Sequence, residues 1–280
     1  MKIDLHMHTR YSDGGKTRIE LIDLCRENKI DLISITDHNN FLVDDIKYDD
    51  IKIMRGMEVD TRYKDKTFHM LIYNFDLNSK EFKKYKRNNR RYDIKNFRET
   101  VKQLEEKYNI KIPNKELNRF IRNNNYFDKT RLNELLVETG FSETPKDAYY
   151  QYTNCFEDNK RYNISMEKLF ELEKDANAVV SLAHPLHYNI SMDEMKKIIL
   201  DLKEKYNLRC VEAINNRQTI EEEKELVKFC KKNNLYISSG SDAHYKFGAI
   251  EKKVVGTIAG RNITEKDATI FQIIGDIKYI

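Results

Sequence analysis

An α/β fold is predicted for this chain, a TIM-like barrel of mostly parallel strands carrying a helical insertion. Three observations predict it. Short apolar, β-branched runs alternate with amphipathic helical stretches. The alternation stops once, in a long stretch rich in Lys, Arg, Asn and Tyr. Polar side chains of metal-ligand type gather where the apolar runs end, and in barrels of this architecture chemistry collects at the C-terminal ends of the strands.

Seven strands are expected, at 2–6, 31–36, 51–57, 68–75, 178–183, 209–214 and 235–239. Between them the period becomes helical. Residues 17–28 put Ile19, Ile22 and Cys25 on one face, Ser191 with Glu194 opens a helix to about Tyr206, and Thr219 with Glu222 opens another to about Asn233. The barrel is assigned to 1–78 and 165–280. The segment 79–164 is expected to be a helical insertion over the active-site mouth. Its helices are expected from 79 to 108, after Pro113-Asn114, near 130–139, and from Pro145.

Composition narrows the function. With 280 residues and 40% hydrophobic content the chain can bury a substantial core. Its formal net charge is +4, which falls short of the bias of an obligate duplex binder. Cys25, Cys155, Cys210 and Cys230 form no Cys-x-x-Cys pair and are expected to be buried small hydrophobes. No secretory leader or bilayer-spanning run is seen, so the expected location is cytoplasmic, with no membrane contact and no obligate protein partner.

Six of the seven histidines fall inside short blocks that read as metal-ligand motifs. His6 and His8 are two apart at a strand end, so both rings can reach one ion. Asp242 and His244 repeat that spacing after Gly240. Glu58 ends a strand and has two oxygens with which to bridge. His38 follows Asp37, and His184 leaves an apolar strand ahead of Pro185. His69 lies within an apolar run and taken alone suits a core position. Asp13 fits either a turn or a ligand. Asp4 and Asp37 are expected to support ligands from outside the coordination shell. His187 is either an exposed loop residue or a substrate contact. The basic run 83–91 fits a solvated helix face.

These blocks, DLHMHTRYSDG, ITDHN, GMEVDT, FHMLIYNFD, SLAHP, VEAINNR and GSDAH, run in order from Asp4 to His244. Through them the chain resembles the PHP (polymerase and histidinol phosphatase) phosphoesterases. Lys129-Thr130-Arg131 and the stretch to Gly140 resemble the insertion of one branch, which includes 3′,5′-nucleoside bisphosphate phosphatases and enzymes that trim short RNA from the 5′ end. The resemblance implies a distorted (β/α)7 barrel holding two to three divalent ions. It implies a first metal on His6, His8, Glu58 and Asp242, a second on Glu58, His69 and His184, and a third on Asp13, His38 and His244. Asp242, His244 and Glu58 would stand closest to the reaction.

The donor set suits Mn, Fe or Zn. The implied reaction is phosphomonoester hydrolysis by a hydroxide bridging two metals. The expected substrate is a small phosphorylated molecule or a short single-stranded nucleic acid. Arg131, Arg161, His187 and Arg217 are candidate phosphate contacts, with Tyr149, Tyr150, Tyr152 and Tyr162 as stacking faces. Arg131-Leu132 occupies a stretch where that branch is expected to have a histidine, and Asp13 stands where histidinol phosphatases of this fold usually have His. Histidinol-phosphate hydrolysis and a non-catalytic, nucleic-acid-binding accessory role are the alternatives.

Overall fold

The computed structural model describes residues 1–41, 48, 50–124, 126–156, 161–245 and 262–279. The chain forms two compact units, Met1–Lys83 with Asn163–Ile280, and Lys84–Tyr162. In the first, strands β1 (Ile3–Met7), β2 (Leu32–Ile35) and β3 (Lys52–Ile53) form a parallel sheet. A second sheet contains β4 (Gly56–Tyr63), β5 (Lys66–Tyr73), β6 (Ile164–Ser165), β7 (Val179–Leu182), β8 (Cys210–Asn215) and β9 (Tyr236–Gly240), in the order β6-β4-β5-β7-β8-β9.

Six of the seven expected runs each contain one strand, whereas 51–57 divides between β3 and the start of β4, which lie in different sheets, and the strand directions are not all those of a parallel barrel. β5 pairs antiparallel with both β4 and β7, while β7, β8 and β9 are parallel. Among the described residues the ladders make two sheets and no closed ring. Single bridges connect them, His38 to Glu58 and Met7 to Ala243. Both bridges lie at strand ends that carry ligand-type residues, so the sheets meet where the chemistry gathers.

The helices of this unit follow their caps. α1 (Arg18–Glu27) and α8 (Ile220–Lys232) begin with reciprocal capping boxes, Thr17 with Glu20 and Thr219 with Glu222. α6 (Met166–Asp175) starts on Ser165 and α7 (Met192–Tyr206) on Ser191. α7 ends on Asn207 in the left-handed region, φ 59°. One apolar cluster packs Leu21, Ile22 and Cys25 of α1 on Met7, Ile33 and Ile53 of the small sheet, whereas Ile19, expected on this face, is exposed and Leu21 takes the buried position.

α2 (Lys80–Tyr108) begins in the first unit and runs through the second. There α3 (Asn114–Asn123), α4 (Lys129–Glu138) and α5 (Pro145–Ala148) follow. Phe97, Val101 and Leu104 of α2 share a core with Phe120 of α3 and Leu132, Leu135 and Leu136 of α4. A π-helical turn, Tyr149–Thr153, closes the segment. Cys25, Cys210 and Cys230 are buried, as expected. Cys155 is not. It is exposed, with Lys107 Nζ at 2.9 Å and the Tyr108 hydroxyl at 3.3 Å from its sulfur. It follows the π-helical turn at the surface, where no core covers it. No helix among the described residues is long and apolar enough to cross a membrane.

Candidate metal centre

Elementary strand geometry builds the site. His6 and His8 leave the end of β1 two residues apart and therefore on one side. Their Nε2 atoms stand 3.1 Å apart. Asp242 follows β9 and brings Oδ1 to 3.5 Å from His6 Nε2 and 3.4 Å from His8 Nε2. Its backbone N–H donates to the His6 carbonyl at 2.7 Å. The approach of β9 to β1 needs Gly240, because a Cβ there would lie 2.1 Å from the His6 Cβ and 2.6 Å from its backbone nitrogen.

Glu58 is fully buried at the centre. Its Oε2 faces His6 Nε2 at 3.3 Å, His8 Nε2 at 3.2 Å and His38 Nδ1 at 3.4 Å. Its Oε1 faces His184 Nε2 at 3.0 Å and His69 Nδ1 at 3.1 Å. A third neighbourhood forms around Asp13 Oδ1, with His244 Nε2 at 3.2 Å and His38 Nε2 and His8 Nδ1 each at 3.8 Å. The structure therefore brings together His6, His8, Asp13, His38, Glu58, His69, His184, Asp242 and His244. Four overlapping groups have one donor atom per residue within 4.8 Å of the others: His8, Asp13, His38 and His244; His6, Glu58 and His184; His6, His8 and Asp242; and His38, Asp60 and His69.

The last group contains a residue that motif reasoning missed. Asp60 lies two positions beyond Glu58 on β4 and directly across the ladder from His69. Residues two apart share a strand face, and directly opposed residues share it too. Its Oδ1 stands 3.3 Å from His38 Nδ1 and 3.8 Å from His69 Nε2. The signal was present, since Glu58 and Asp60 repeat the spacing of His6 with His8 and of Asp242 with His244.

Glu212 is the second addition. This fully buried carboxylate of β8 lies 2.9 Å from His6 Nδ1, and its other oxygen accepts from the His184 backbone N–H at 2.7 Å and from Asn215 Nδ2 at 3.0 Å. It thus orients one ring and fixes the backbone of another. The expected supports do different work. Asp37 accepts from the Thr9 backbone N–H and from the Thr9 and Ser12 hydroxyls, which holds the loop after β1. Asp4 accepts from the backbone N–H groups of Ser241 and His6. Both anchor the backbone around the ligands, and the carboxylate bonded to the His6 ring is Glu212.

Two of these residues also take the left-handed backbone. His184 and Asp242 adopt φ of 26° and 54°. Such positions cost a non-glycine residue free energy and persist where the surroundings impose them, most often at functional sites. Five polar groups fix the two: Glu212 on His184, and the His6 carbonyl, Arg217, His6 and His8 on Asp242.

The electrostatics are those of a carboxylate cluster seeking cations. Burial opposes protonation of His6, but Glu212, Glu58 and Asp242 outweigh it and hold its pKa well above the ordinary value. Burial also opposes protonation of His8, and Asp242 and Glu58 nonetheless lift it to about 9. Burial would raise the pKa values of Glu58, Asp13 and Asp242, yet the surrounding imidazoles hold all three well below the carboxylate range. His184 goes the other way, because burial lowers it by more than Glu58 restores. The donor set is carboxylate oxygen and imidazole nitrogen converging from several sides, which fits divalent Mn, Fe or Zn.

Arg217 reaches this site. Its Nε donates to Asp242 Oδ2 at 2.6 Å and its Nη1 lies 2.9 Å from His187 Nδ1. The His187 ring in turn meets the His184 ring edge-on, with centroids 5.3 Å apart. Arg131 and Arg161 belong to the other unit. There Arg131 is bonded to Glu134 and lies over the Tyr126 ring. Of the four tyrosines, Tyr149 and Tyr150 are exposed, Tyr152 packs against Tyr108, and Tyr162 lies against Tyr85 and Tyr92.

Several known proteins are similar to this chain over most of its length. A 5′-3′ exoribonuclease of Haemophilus influenzae is 24% identical over 276 residues, covering 96% of this chain and 97% of its own length. A 3′,5′-nucleoside bisphosphate phosphatase of Chromobacterium violaceum is 22% identical over 249 residues, 86% of this chain and 87% of its own. Among solved structures, an amidohydrolase from Chromobacterium violaceum with bound sulfate superposes with a TM-score of 0.66 at 20% identity, over 98% of this chain and 96% of that one. The PHP domain model matches residues 4–238, a span that takes in His6 through Arg217, and the chain belongs to the PHP domain family.

Proposed function

We propose that this protein is a metal-dependent phosphoesterase that hydrolyses a phosphomonoester, either on a small nucleotide of the nucleoside 3′,5′-bisphosphate kind or at the 5′ end of short RNA. The observation that carries the reading is Glu58, a fully buried carboxylate whose two oxygens face five imidazoles from four separate chain segments. A carboxylate so placed would have one oxygen for each of two cations. Divalent ions held there supply an acidified water and neutralise charge on the phosphoryl oxygens. His6, His8 and Asp242 would hold one, His69 and His184 a second, and Asp13, His38 and His244 a third, with Glu58 shared between the first two.

The chain's own groups do the rest. Arg217 is pinned through Nε to Asp242 and keeps further N–H donors on a rigid fork, the geometry that recognises phosphate. His187 beside it faces the Arg217 Nη1 with both ring nitrogens, at 2.9 and 3.2 Å, and so helps to hold the guanidinium in place. Glu212 keeps the His6 ring turned so that Nε2 faces inward. The names of the two relatives, an exoribonuclease and a bisphosphate phosphatase, support a nucleotide substrate.

The test joins metal analysis of the purified protein to phosphate release from nucleoside 3′,5′-bisphosphates, mononucleotides, 5′-phosphorylated short RNA and histidinol phosphate. His6→Ala and Asp242→Asn should retain the fold and lose at least about a hundredfold in turnover. Full activity in both variants ends the proposal. Preference for histidinol phosphate would move it to the alternative substrate.

A further inference from the structure

The second unit carries its charge unevenly. Residues 84–162 contain 18 Lys and Arg against 12 Asp and Glu, whereas the rest of the chain contains 32 against 34. The excess is ordered along α2. Lys84, Arg87, Arg91, Lys95, Arg98 and Lys102 follow one another at steps of three or four residues. At about 100° per residue such steps keep all six on one narrow face. All six are exposed. The opposite face is apolar, with Phe97, Val101 and Leu104 in the core of the unit. The helix thus presents a straight basic ridge of about 27 Å, at a rise of about 1.5 Å per residue.

A solvated helix face usually interleaves both signs of charge. Here the acidic neighbours are sparse. Lys95 pairs with Glu99 at 3.9 Å and Lys102 with Glu106 at 3.6 Å, both one turn further on. Exposed pairs of this kind are worth only a few tenths of a kcal/mol and exchange readily for a phosphate. The first half of the ridge, with Arg87 and Arg91, carries the stronger field.

We infer that this ridge binds the phosphodiester backbone of single-stranded RNA. The inference rests on the nucleotide reading of the metal centre only for its choice of RNA over other polyanions. Charge complementarity is its argument: a line of cations, regularly spaced and backed by a rigid core, matches a line of phosphates, and a flexible single strand can follow a straight ridge. The contacts go to phosphates, so binding is tolerant of sequence and steeply dependent on salt.

The test compares Arg87→Glu/Arg91→Glu with a control of equal charge change on α8, Lys228→Glu/Lys232→Glu. The probe is a labelled single-stranded RNA of about twelve nucleotides with phosphorothioate linkages, followed by fluorescence anisotropy across a salt series. The ridge variant should bind about tenfold or more weakly, with a salt slope shallower by about 1.4, as the loss of two single-strand phosphate contacts requires. The control should change less than twofold. Turnover of a nucleoside 3′,5′-bisphosphate should be the same in the ridge variant and the wild type, which also shows that the variant is folded. Unchanged RNA affinity in the ridge variant, equal losses in both variants, or a duplex held as tightly as the single strand would overturn the inference. Ridge-dependent binding in a protein that releases no phosphate would sink the phosphoesterase reading and leave this one standing.

Discussion

Stripping the metal centre should reverse the pH dependence of stability. With no ion bound, His8 is held at about 9 by Asp242 and Glu58, against 6.5 in an unfolded chain. A raised pKa contributes stability that is complete below the unfolded value and disappears as pH climbs through the folded one. The window is therefore pH 6.5 to about 9. A displacement of that size corresponds to roughly 3 kcal/mol for His8 alone, and His6 moves in the same direction. The depressed carboxylates Glu58, Asp13 and Asp242 have the opposite sign, but their contribution changes only under acid conditions. For a unit of this size the melting temperature of chelator-treated protein should fall by about 6–12 °C between pH 6.5 and 9.5. With Mn or Zn present the trend should invert, because ions replace the protons on His6 and His8 and bind more tightly as pH rises. Differential scanning calorimetry at both pH values, with and without chelator, reads this directly. A flat or rising melting temperature in the stripped protein across that window refutes the electrostatic account.

Other perturbations test separate parts of the site. Asp60→Asn removes a charge shared by His38 and His69, and should weaken metal binding by about 10–100-fold in isothermal titration while the circular dichroism spectrum stays the same. Glu212→Gln keeps the shape of a side chain that binds the His6 ring and the His184 backbone. It should cost a similar factor in metal affinity, and an unchanged affinity would show that His6 is oriented by other means. Gly240→Ala forces a methyl into the His6 main chain, where no flexible side-chain end can give way, so a loss of about 3 kcal/mol or of soluble protein is expected in denaturant unfolding.

The sequence disclosed the gathering of polar side chains better than the sheet. The nine candidate ligands converge because strand-end motifs place side chains by simple alternation, whereas the expected strand 51–57 divides between β3 and β4 in different sheets. The direction of β5 was hidden. Only Lys64 and Asp65 separate β4 from β5, a two-residue hairpin without the Asn-Gly or Asp-Gly that announces one, and Lys64 takes the left-handed backbone (φ 52°) that such turns reserve for those residues. Once the hairpin was missed, the pairing of Asp60 with His69 could not be seen. Glu212 left a plainer trace. A single Glu within Cys210-Val-Glu-Ala-Ile214 is a charge in an apolar strand, and charges are almost never buried without a partner. The role of Asp37 could not be inferred, since its partners Thr9 and Ser12 are common loop residues. The exposure of Cys155 depended on where the helical unit ends its core.

The same residues explain how several charged groups can be buried together. A buried carboxylate with no counter-charge costs several kcal/mol. Glu58 avoids that cost through the imidazoles around it, which hold its pKa well below the carboxylate range against its burial, while His6 and His8 are raised in return. Contacts within the chain tie these groups to the frame: the Asp242 backbone N–H bonds to the His6 carbonyl, Glu212 holds His6 and His184, and the β4–β5 ladder sets Asp60 across from His69. Each such contact lowers the ordering that a cation would otherwise have to impose, so Glu212 and Asp60 bear on metal affinity through position as well as charge.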